Sequence, residues 1–287
     1  RALIYSTAAL AATNIALDYI LIFGHLGAPR LGLRGAALAS LIAEGVQAAV
    51  VLAFVLAQRL PARYGVLRWP RPSTALLGEH LRLALPIVAQ YAIGMVTWLA
   101  FFLVIEHMGE HELAVSSILR SAYSIFMIPA WAIGPAANSL TSQLLGAGLP
   151  GRVLPMARRA ATLCVGIMGT LALILALAPR AVLSVLTSDA RQIADAVPGL
   201  YVVALSLLLL GLASVLLNVV TGTGATQFAF VAEIANIGLY IAYLYVAVRL
   251  LGGSSTVAWF AEALYWASMA TLMGAYLRWG KWRSIKL

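Results

Sequence analysis

Asn14 and Asp18 lie four residues apart inside an apolar segment that spans residues 3–24. Side chains at positions i and i+4 of a helix share a face, so this pair presents amide and carboxylate oxygens together. Such oxygens suit a proton or Na⁺, and an ionisable group inside a membrane is costly and therefore informative. Alternatively, Asp18 lies near the outer end of its helix, reaches interfacial water and only fixes the topology.

A second group of polar side chains forms a stripe on the segment 114–138. Helical spacing brings them to one face: Ser116, Ser117, Arg120, Ser121 and Ser124. We expect this stripe to face the bundle interior or an aqueous cavity. Arg120 then needs an anionic partner, and its depth makes Glu262 and Glu106 the candidates. It would serve either in a structural ion pair or in a substrate contact.

The segment 226–249 carries a third polar face. Glu233, Asn236, Tyr240 and Tyr243 follow one another at i, i+3, i+7 and i+10, which aligns them along one side of a helix. Glu233 is a candidate proton site or a contact for a cationic drug. The alternative is a hydrogen bond that only packs the helix against a neighbour.

Other motifs point away from enzymes and metal proteins. The stretch TGTGAT at 221–226 lacks the lysine of a P-loop, the four histidines lack zinc spacing, and the single Cys164 excludes an intrachain disulfide. Gln90, Gly94 and Thr97 share a face of the segment 83–106, where we interpret Gly94 as a small residue for helix packing. The sequence therefore predicts no enzyme, no cofactor and no nucleic-acid partner.

The composition is that of a polytopic membrane protein. Of 287 residues, 62% are hydrophobic and 10% are charged, and the mean hydropathy is +0.94. A helix of about 20 residues crosses a hydrocarbon core of about 30 Å. We predict an all-α protein with eight transmembrane helices at 3–24, 35–57, 83–106, 114–138, 154–178, 197–220, 226–249 and 256–277.

The cationic residues predict the topology. With the first span running outward, thirteen of the nineteen Lys and Arg residues fall on the cytoplasmic side and five outside, so both termini of the chain are predicted to be cytoplasmic. The Pro- and Arg-rich residues 58–82 form the predicted cytoplasmic linker. It separates residues 1–57, two helices of an N-terminal lobe, from residues 83–287, a complete six-helix C-terminal lobe. Because the chain begins with Arg1 already close to an apolar helix, we expect a fragment of a longer protein.

Four stretches resemble the multidrug and toxic compound extrusion (MATE) family. They are NIALDYILIFGHLGAPRLGLRGAALASLIAE at 14–44, LALPIVAQYAIGMVTWLAFF at 83–102, ILRSAYSIFMIPAWAIGPAANSLTSQLLGAG at 118–148 and NVVTGTGATQFAFVAEIANIGLY at 218–240. A weak internal repeat also relates 14–44 to 236–262, and internal repeats are typical of transporter folds.

The resemblance implies twelve helices in two lobes, of which this chain would hold helices five to twelve. It implies alternating access, with cationic or amphipathic compounds exchanged for H⁺ or Na⁺. Asn14 and Asp18 match a coupling pair on the family's fifth helix. The family's Na⁺ site on the seventh and tenth helices is doubtful here, because this sequence has Gln90 and Gly94, and Leu210 and Gly211, near those positions.

We therefore predict a cation-coupled multidrug antiporter of the inner membrane, monomeric when full length. The predicted cation-coupling residues are Asn14, Asp18 and Glu233, with Na⁺ possible at Asp18. Polar residues of the lobe interior that would contact substrate are Arg120, Gln90, Asn236, Tyr240 and Glu262. One alternative is a lipid-linked precursor flippase of the same superfamily, which predicts a cationic groove. Another is a membrane scaffold or a defective fragment that transports nothing.

Overall fold

The computed structural model describes residues 2–59 and 73–282, and these residues are helical without any strand. The chain forms two compact units, Arg1–Ser73 and Thr74–Leu287. Most of the predicted linker, residues 60–72, lies outside the described residues. The absence of strands and the apolar helices confirm the all-α membrane class, since helices satisfy their own backbone hydrogen bonds in lipid.

Within residues 2–59, the first unit contains two packed α-helices, α1 (Ala2–Phe23) and α2 (Leu33–Ala57). Gly24 ends α1 with a φ of 77°, in the left-handed region that glycine enters at little cost. Gly35 lets α2 approach α1 closely, because a Cβ atom there would lie 2.5 Å from the Leu21 carbonyl oxygen. The two helices therefore meet through a tight turn and a glycine contact.

The second unit contains eight α-helices, whose lengths and breaks set the positions of its polar side chains. They are α3 (Thr74–Glu106), α4 (Glu110–Phe126), α5 (Ile128–Gly146), α6 (Val153–Leu177), α7 (Pro179–Leu186), α8 (Ala190–Gly222), α9 (Thr226–Leu244) and α10 (Ser255–Trp279). A π-helical stretch, Tyr245–Leu250, extends α9.

The centre of the second unit is α8. It packs against α10, α6, α5 and α4, and it is apolar on all sides, with its large exposed apolar residues confined to one stripe: Tyr201, Leu205, Leu208 and Leu212. A helix that is apolar all round is expected to be enclosed by others. Beside it, the rings of Trp98, Phe101, Tyr123 and Trp259 form an aromatic cluster with centroid separations of 5.1–6.2 Å. These aromatic contacts fix α3, α4 and α10 together.

Helices occupy all eight predicted spans, although they differ in apolarity. Among residues 2–59 and 73–282, six helices are long and apolar enough to cross a membrane. The pair α4 and α5 forms a seventh, broken span with a bend of 43°. The eighth, α10, has 25 residues but is less apolar, because Glu262, Ser268 and several tryptophans and tyrosines interrupt it.

Three helix boundaries differ from the predicted spans. α3 begins at Thr74, inside the predicted linker, and continues through Pro86. α8 begins at Ala190, seven residues before the predicted span, because the Asp189 carboxylate accepts hydrogen bonds from the backbone nitrogens of Arg191 and Gln192 at 2.9 and 3.3 Å. The predicted span 114–138 is broken at Met127, between α4 and α5.

Candidate functional site

Asn14 and Asp18 lie one turn apart on α1, as predicted, but they have different surroundings. Asn14 Nδ2 donates a hydrogen bond to Ser40 Oγ on α2 at 3.3 Å. The Oδ1 atom of Asp18 is shielded from solvent and has no hydrogen-bond partner among the described residues. A shielded carboxylate oxygen without a donor is free to accept a proton or to bind a cation.

Glu262 is a buried carboxyl of the second unit that contacts three helices. It lies on α10, is 6% exposed, and accepts two hydrogen bonds from tyrosines of two other helices. Tyr240 Oη of α9 donates to Oε1 at 3.1 Å, and Tyr123 Oη of α4 donates to Oε2 at 3.3 Å. Trp266 Nε1 in turn donates to Tyr123 Oη at 2.7 Å. Glu262 therefore joins α4, α9 and α10 at one point.

Glu233 is the second buried carboxyl of this unit, and it is 5% exposed. It lies on α9 and accepts a hydrogen bond from Tyr265 Oη of α10 at 2.5 Å. One turn along α9, Asn236 Nδ2 donates to the Tyr265 carbonyl oxygen at 3.0 Å, and Ser268 Oγ donates to Asn236 Oδ1. Glu233 thus makes the helix-packing hydrogen bond that was the alternative to a coupling role. This bond does not exclude a coupling role for the same carboxyl.

The two carboxyls belong to one continuous network. The Tyr265 ring is perpendicular to that of Tyr240 at 6.2 Å and contacts that of Trp266 at 4.7 Å. We name this network the carboxyl–tyrosine cluster, and it comprises Tyr123, Glu233, Tyr240, Glu262, Tyr265 and Trp266. In the part of the chain that the structure describes, no Lys, Arg or His nitrogen lies within 4.0 Å of either carboxyl. Buried carboxyls without a cationic partner are unusual and mark candidate functional sites.

The expected ion pair of Arg120 with Glu262 or Glu106 is wrong. The Arg120 side chain is exposed on the surface of the unit, and its guanidinium lies over the rings of Trp98 and Phe102 at 5.1 and 5.0 Å. Tyr123, three residues further along α4, occupies the position beside Glu262 instead. A guanidinium that keeps solvent contact over aromatic faces avoids the desolvation that a buried ion pair requires.

The predicted serine stripe is divided between two environments. Ser116 is buried and accepts a hydrogen bond from Trp259 Nε1 at 3.4 Å. The other members are exposed together on the surface of the unit: Ser117, Arg120, Ser121 and Ser124. This exposed polar face of α4 is the candidate surface for substrate contact.

Known proteins resemble this chain in sequence. The sequence profile of the MatE family matches residues 86–246, more than half of the chain. The chain belongs to the MATE family. Because members of this family are transporters and not enzymes, membership confirms the prediction that the protein is not an enzyme.

Relatives within the MATE family include bacterial proteins named for drug resistance. The probable multidrug resistance protein NorM of Burkholderia pseudomallei is 29% identical over 282 residues, which cover 95% of this chain and 59% of the relative. The one from Pseudomonas aeruginosa is 34% identical over 167 residues, covering 58% of this chain and 33% of the relative. The chain thus spans about three fifths of the first relative's length.

Solved structures confirm the MATE fold. The crystal structure of the Vibrio cholerae MATE transporter VcmN in the bent form superposes with a TM-score of 0.79 at 20% identity, covering 96% of this chain and 62% of that one. An outward-facing MATE family transporter of the MOP superfamily superposes with a TM-score of 0.81 at 18% identity, covering 96% and 61%. At these identities the likeness concerns the fold alone.

The remaining predicted residue, Gln90, lies on α3. Its Nε2 atom is buried and lacks a hydrogen-bond acceptor among the described residues. On the same face of α3, Thr97 Oγ1 donates to the Ile93 carbonyl oxygen at 2.9 Å. Among the described residues, no atom of another element lies within 4 Å of a Cβ built at Gly94, so these residues show no close packing at that position. Within residues 2–59 and 73–282, no group of three His, Cys, Asp or Glu side chains is placed to hold a metal.

Sequence reasoning missed four residues of these sites. Ser40, Tyr123, Tyr265 and Trp266 all hydrogen-bond to predicted residues or to each other. The tyrosines carried a usable signal, since a phenol hydroxyl within an apolar helix normally finds a buried polar partner. Which carboxyl the hydroxyl meets depends on how each helix is rotated about its own axis. The sequence does not define that rotation.

Proposed function

We propose that the complete protein is a cation-coupled antiporter that exports cationic or amphipathic compounds by alternating access. Membership in the MATE family and relatives named multidrug resistance proteins support efflux. The observation that supports the coupling is that two carboxyls have no cationic partner among residues 2–59 and 73–282: Asp18 in the first unit and Glu233 in the second. Binding and release of a cation at such groups biases the two access states through their different affinities.

Asn14 and Asp18 are the proposed coupling pair of the first unit, and Na⁺ or H⁺ would bind at the free oxygen of Asp18. Glu233 is the proposed coupling residue of the second unit. Arg120, Gln90, Asn236, Tyr240 and Glu262 were expected to contact substrate, and we retain this role for Arg120, since its side chain alone among them lies on the exposed polar face. Asn236, Tyr240 and Glu262 instead hold α10 against α9 and α4.

The proposed setting is the inner membrane, with the protein working as a monomer and both ends of this chain in the cytoplasm. The excess of Lys and Arg on that side supports the orientation. The two lobes would correspond to residues 1–57 and 83–287, with 58–82 as the linker.

Transport in inverted membrane vesicles tests this proposal. Ethidium is added outside inverted vesicles that contain the full-length protein, and either a proton or a Na⁺ gradient is imposed across the membrane. We expect ethidium uptake under one gradient and its collapse when that gradient is dissipated. No movement under either gradient, with the protein correctly inserted, contradicts the antiporter and favours the lipid flippase.

A further inference from the structure

Glu262 was not among the expected coupling residues, yet its surroundings are those of a proton-binding group. Its two carboxyl oxygens accept from Tyr240 and Tyr123, so the carboxylate form satisfies both hydroxyl protons. A proton on either oxygen would compete with one of these donors. Tyr123 has little room to adjust, because its oxygen already accepts from Trp266 Nε1. Protonation would therefore weaken a bond that joins α10 to α4 or to α9.

The donors around Glu262 suit a proton better than a metal cation. Trp266 Nε1 donates and has no lone pair with which to bind a metal, and both tyrosines present hydroxyl groups. Na⁺ would need several carboxylate, carbonyl or water oxygens around it. Among the described residues, no third acidic or histidine side chain joins Glu262 and Glu233.

Few charged groups surround Glu262. α4 presents Tyr123, α9 presents Tyr240 and the nearby Glu233, and α10 itself presents Tyr265. α3 contributes the neutral Trp98, and the buried residues of α8 are all uncharged. A change of protonation at Glu262 is therefore not compensated by a neighbouring cation.

Tyr123 connects this carboxyl to the exposed polar face of α4. Arg120 lies three residues before Tyr123 on the same helix. The backbone carbonyl of Tyr123 accepts from Met127 N at 3.0 Å, at the 43° bend between α4 and α5. A helix that is broken next to its anchoring residue can change orientation about that break.

We propose that Glu262 is a further proton-binding group of this lobe and that Tyr123 transmits its protonation state to α4. This inference rests on the proposed antiport function. In the carboxylate form, the hydrogen bond from Tyr123 holds α4 against α10. In the protonated form, α4 is released, and the exposed face that carries Arg120 moves relative to α3 and α9. Because the position of α4 would depend on protonation of Glu262, binding of the proton and binding of ethidium would oppose each other.

Proton release on substrate binding tests the role of Glu262. Purified full-length protein is mixed with ethidium in weakly buffered detergent solution with a pH indicator. We expect Glu262→Gln to release about one proton fewer per bound ethidium than the wild type, because the amide cannot titrate. Glu110→Gln removes an exposed carboxyl at the start of α4 and serves as the control with unchanged release.

The failure of this inference differs from failure of the proposed function. If the wild type transports ethidium with a proton gradient and Glu262→Gln releases as many protons as the wild type, Glu262 is not a proton site. If the wild type neither transports nor releases protons, the proposed function itself fails. Both outcomes overturn the role given to Glu262.

A second measurement does not depend on the folding of a Glu262 variant. Infrared pH-difference spectra of the wild type should show tyrosine bands that change together with a protonated carboxyl band. In these spectra, Tyr123→Phe should lose part of the tyrosine signal and keep the carboxyl band. In transport, the same variant should lower ethidium efflux per imposed proton gradient at least about threefold, equivalent to about 0.65 kcal/mol. Tyrosine bands that are independent of carboxyl protonation, or unchanged efflux by Tyr123→Phe, would contradict transmission through Tyr123.

Discussion

The carboxyls of the two units differ in how they are supported. Asp18 in the first unit has a shielded oxygen without any donor among the described residues, and only the neighbouring Asn14 is bonded, to Ser40. Glu233 and Glu262 in the second unit accept hydrogen bonds from tyrosines on other helices. A carboxyl without donors can bind an ion without breaking the structure, whereas one that holds helices together must change their packing when it binds. The first is suited to ion binding alone, and the second is suited to conversion of binding into motion.

The largest expected effect on stability is that of Glu262→Ala. Both tyrosine hydroxyls would lose their buried acceptor, so we expect a loss of about 2–6 kcal/mol in the free energy of unfolding, at about 1–3 kcal/mol for each buried group left unsatisfied. Unfolding of the full-length protein by SDS in mild detergent measures it. Glu262→Gln keeps an acceptor oxygen and should lose less. A change below about 0.5 kcal/mol for the alanine variant would contradict the claim that Glu262 holds these helices together.

Tyr265→Phe should have the next largest effect. It removes the hydroxyl that donates to Glu233, and a hydrogen bond to a charged group contributes about 1.5–3 kcal/mol. The control is Tyr276→Phe on the same helix, since that ring stacks on Phe228 at 4.1 Å and is not a member of the carboxyl–tyrosine cluster. Equal unfolding midpoints for the two variants would show that Glu233 does not depend on Tyr265.

Arg120→Ala distinguishes the observed cation–π contact from the ion pair that the sequence suggested. Loss of an exposed contact with Trp98 and Phe102 should cost about 0.5–1 kcal/mol. Removal of one partner of a buried ion pair would cost about 3–5 kcal/mol instead. Arg120→Met, which keeps most of the aliphatic chain, controls for packing, and a loss as large as that of an ion pair in either variant contradicts the assignment.

The smallest effect on stability is expected for Asp18→Asn. Because Oδ1 has no donor to lose, the free energy of unfolding should change by less than about 0.5 kcal/mol. Cation-driven efflux should nevertheless fall at least about tenfold, equivalent to about 1.4 kcal/mol. Glu44→Gln, at an exposed carboxyl on α2, is the matched control with normal efflux. Normal efflux by Asp18→Asn would remove the first unit from the coupling mechanism.

The helices and their class could be predicted from the sequence, because apolar runs of membrane length leave few alternatives to a helix. The shared faces of Asn14 with Asp18 and of Glu233 with Asn236 also followed from helical spacing. The contacts between helices did not follow. Arg120 and Tyr123 are three residues apart on α4, and only the rotation of that helix decides which of them meets Glu262.

Helix ends were predicted less well where a local signal was ambiguous. The predicted span begins at residue 197, yet Asp189 caps α8 eight residues earlier and Pro198 lies inside the helix. Likewise, the prolines of the predicted linker concealed the start of α3 at Thr74.

Efflux by the full-length protein and two of its variants tests the central claim most directly. Ethidium accumulation in inverted vesicles is measured under an imposed proton or Na⁺ gradient for the wild type, Asp18→Asn and Glu233→Gln. Our account predicts accumulation that depends on one gradient in the wild type and is strongly reduced in both variants, although both are folded and inserted. Undiminished gradient-driven accumulation in both variants would show that these carboxyls do not couple the ion to transport.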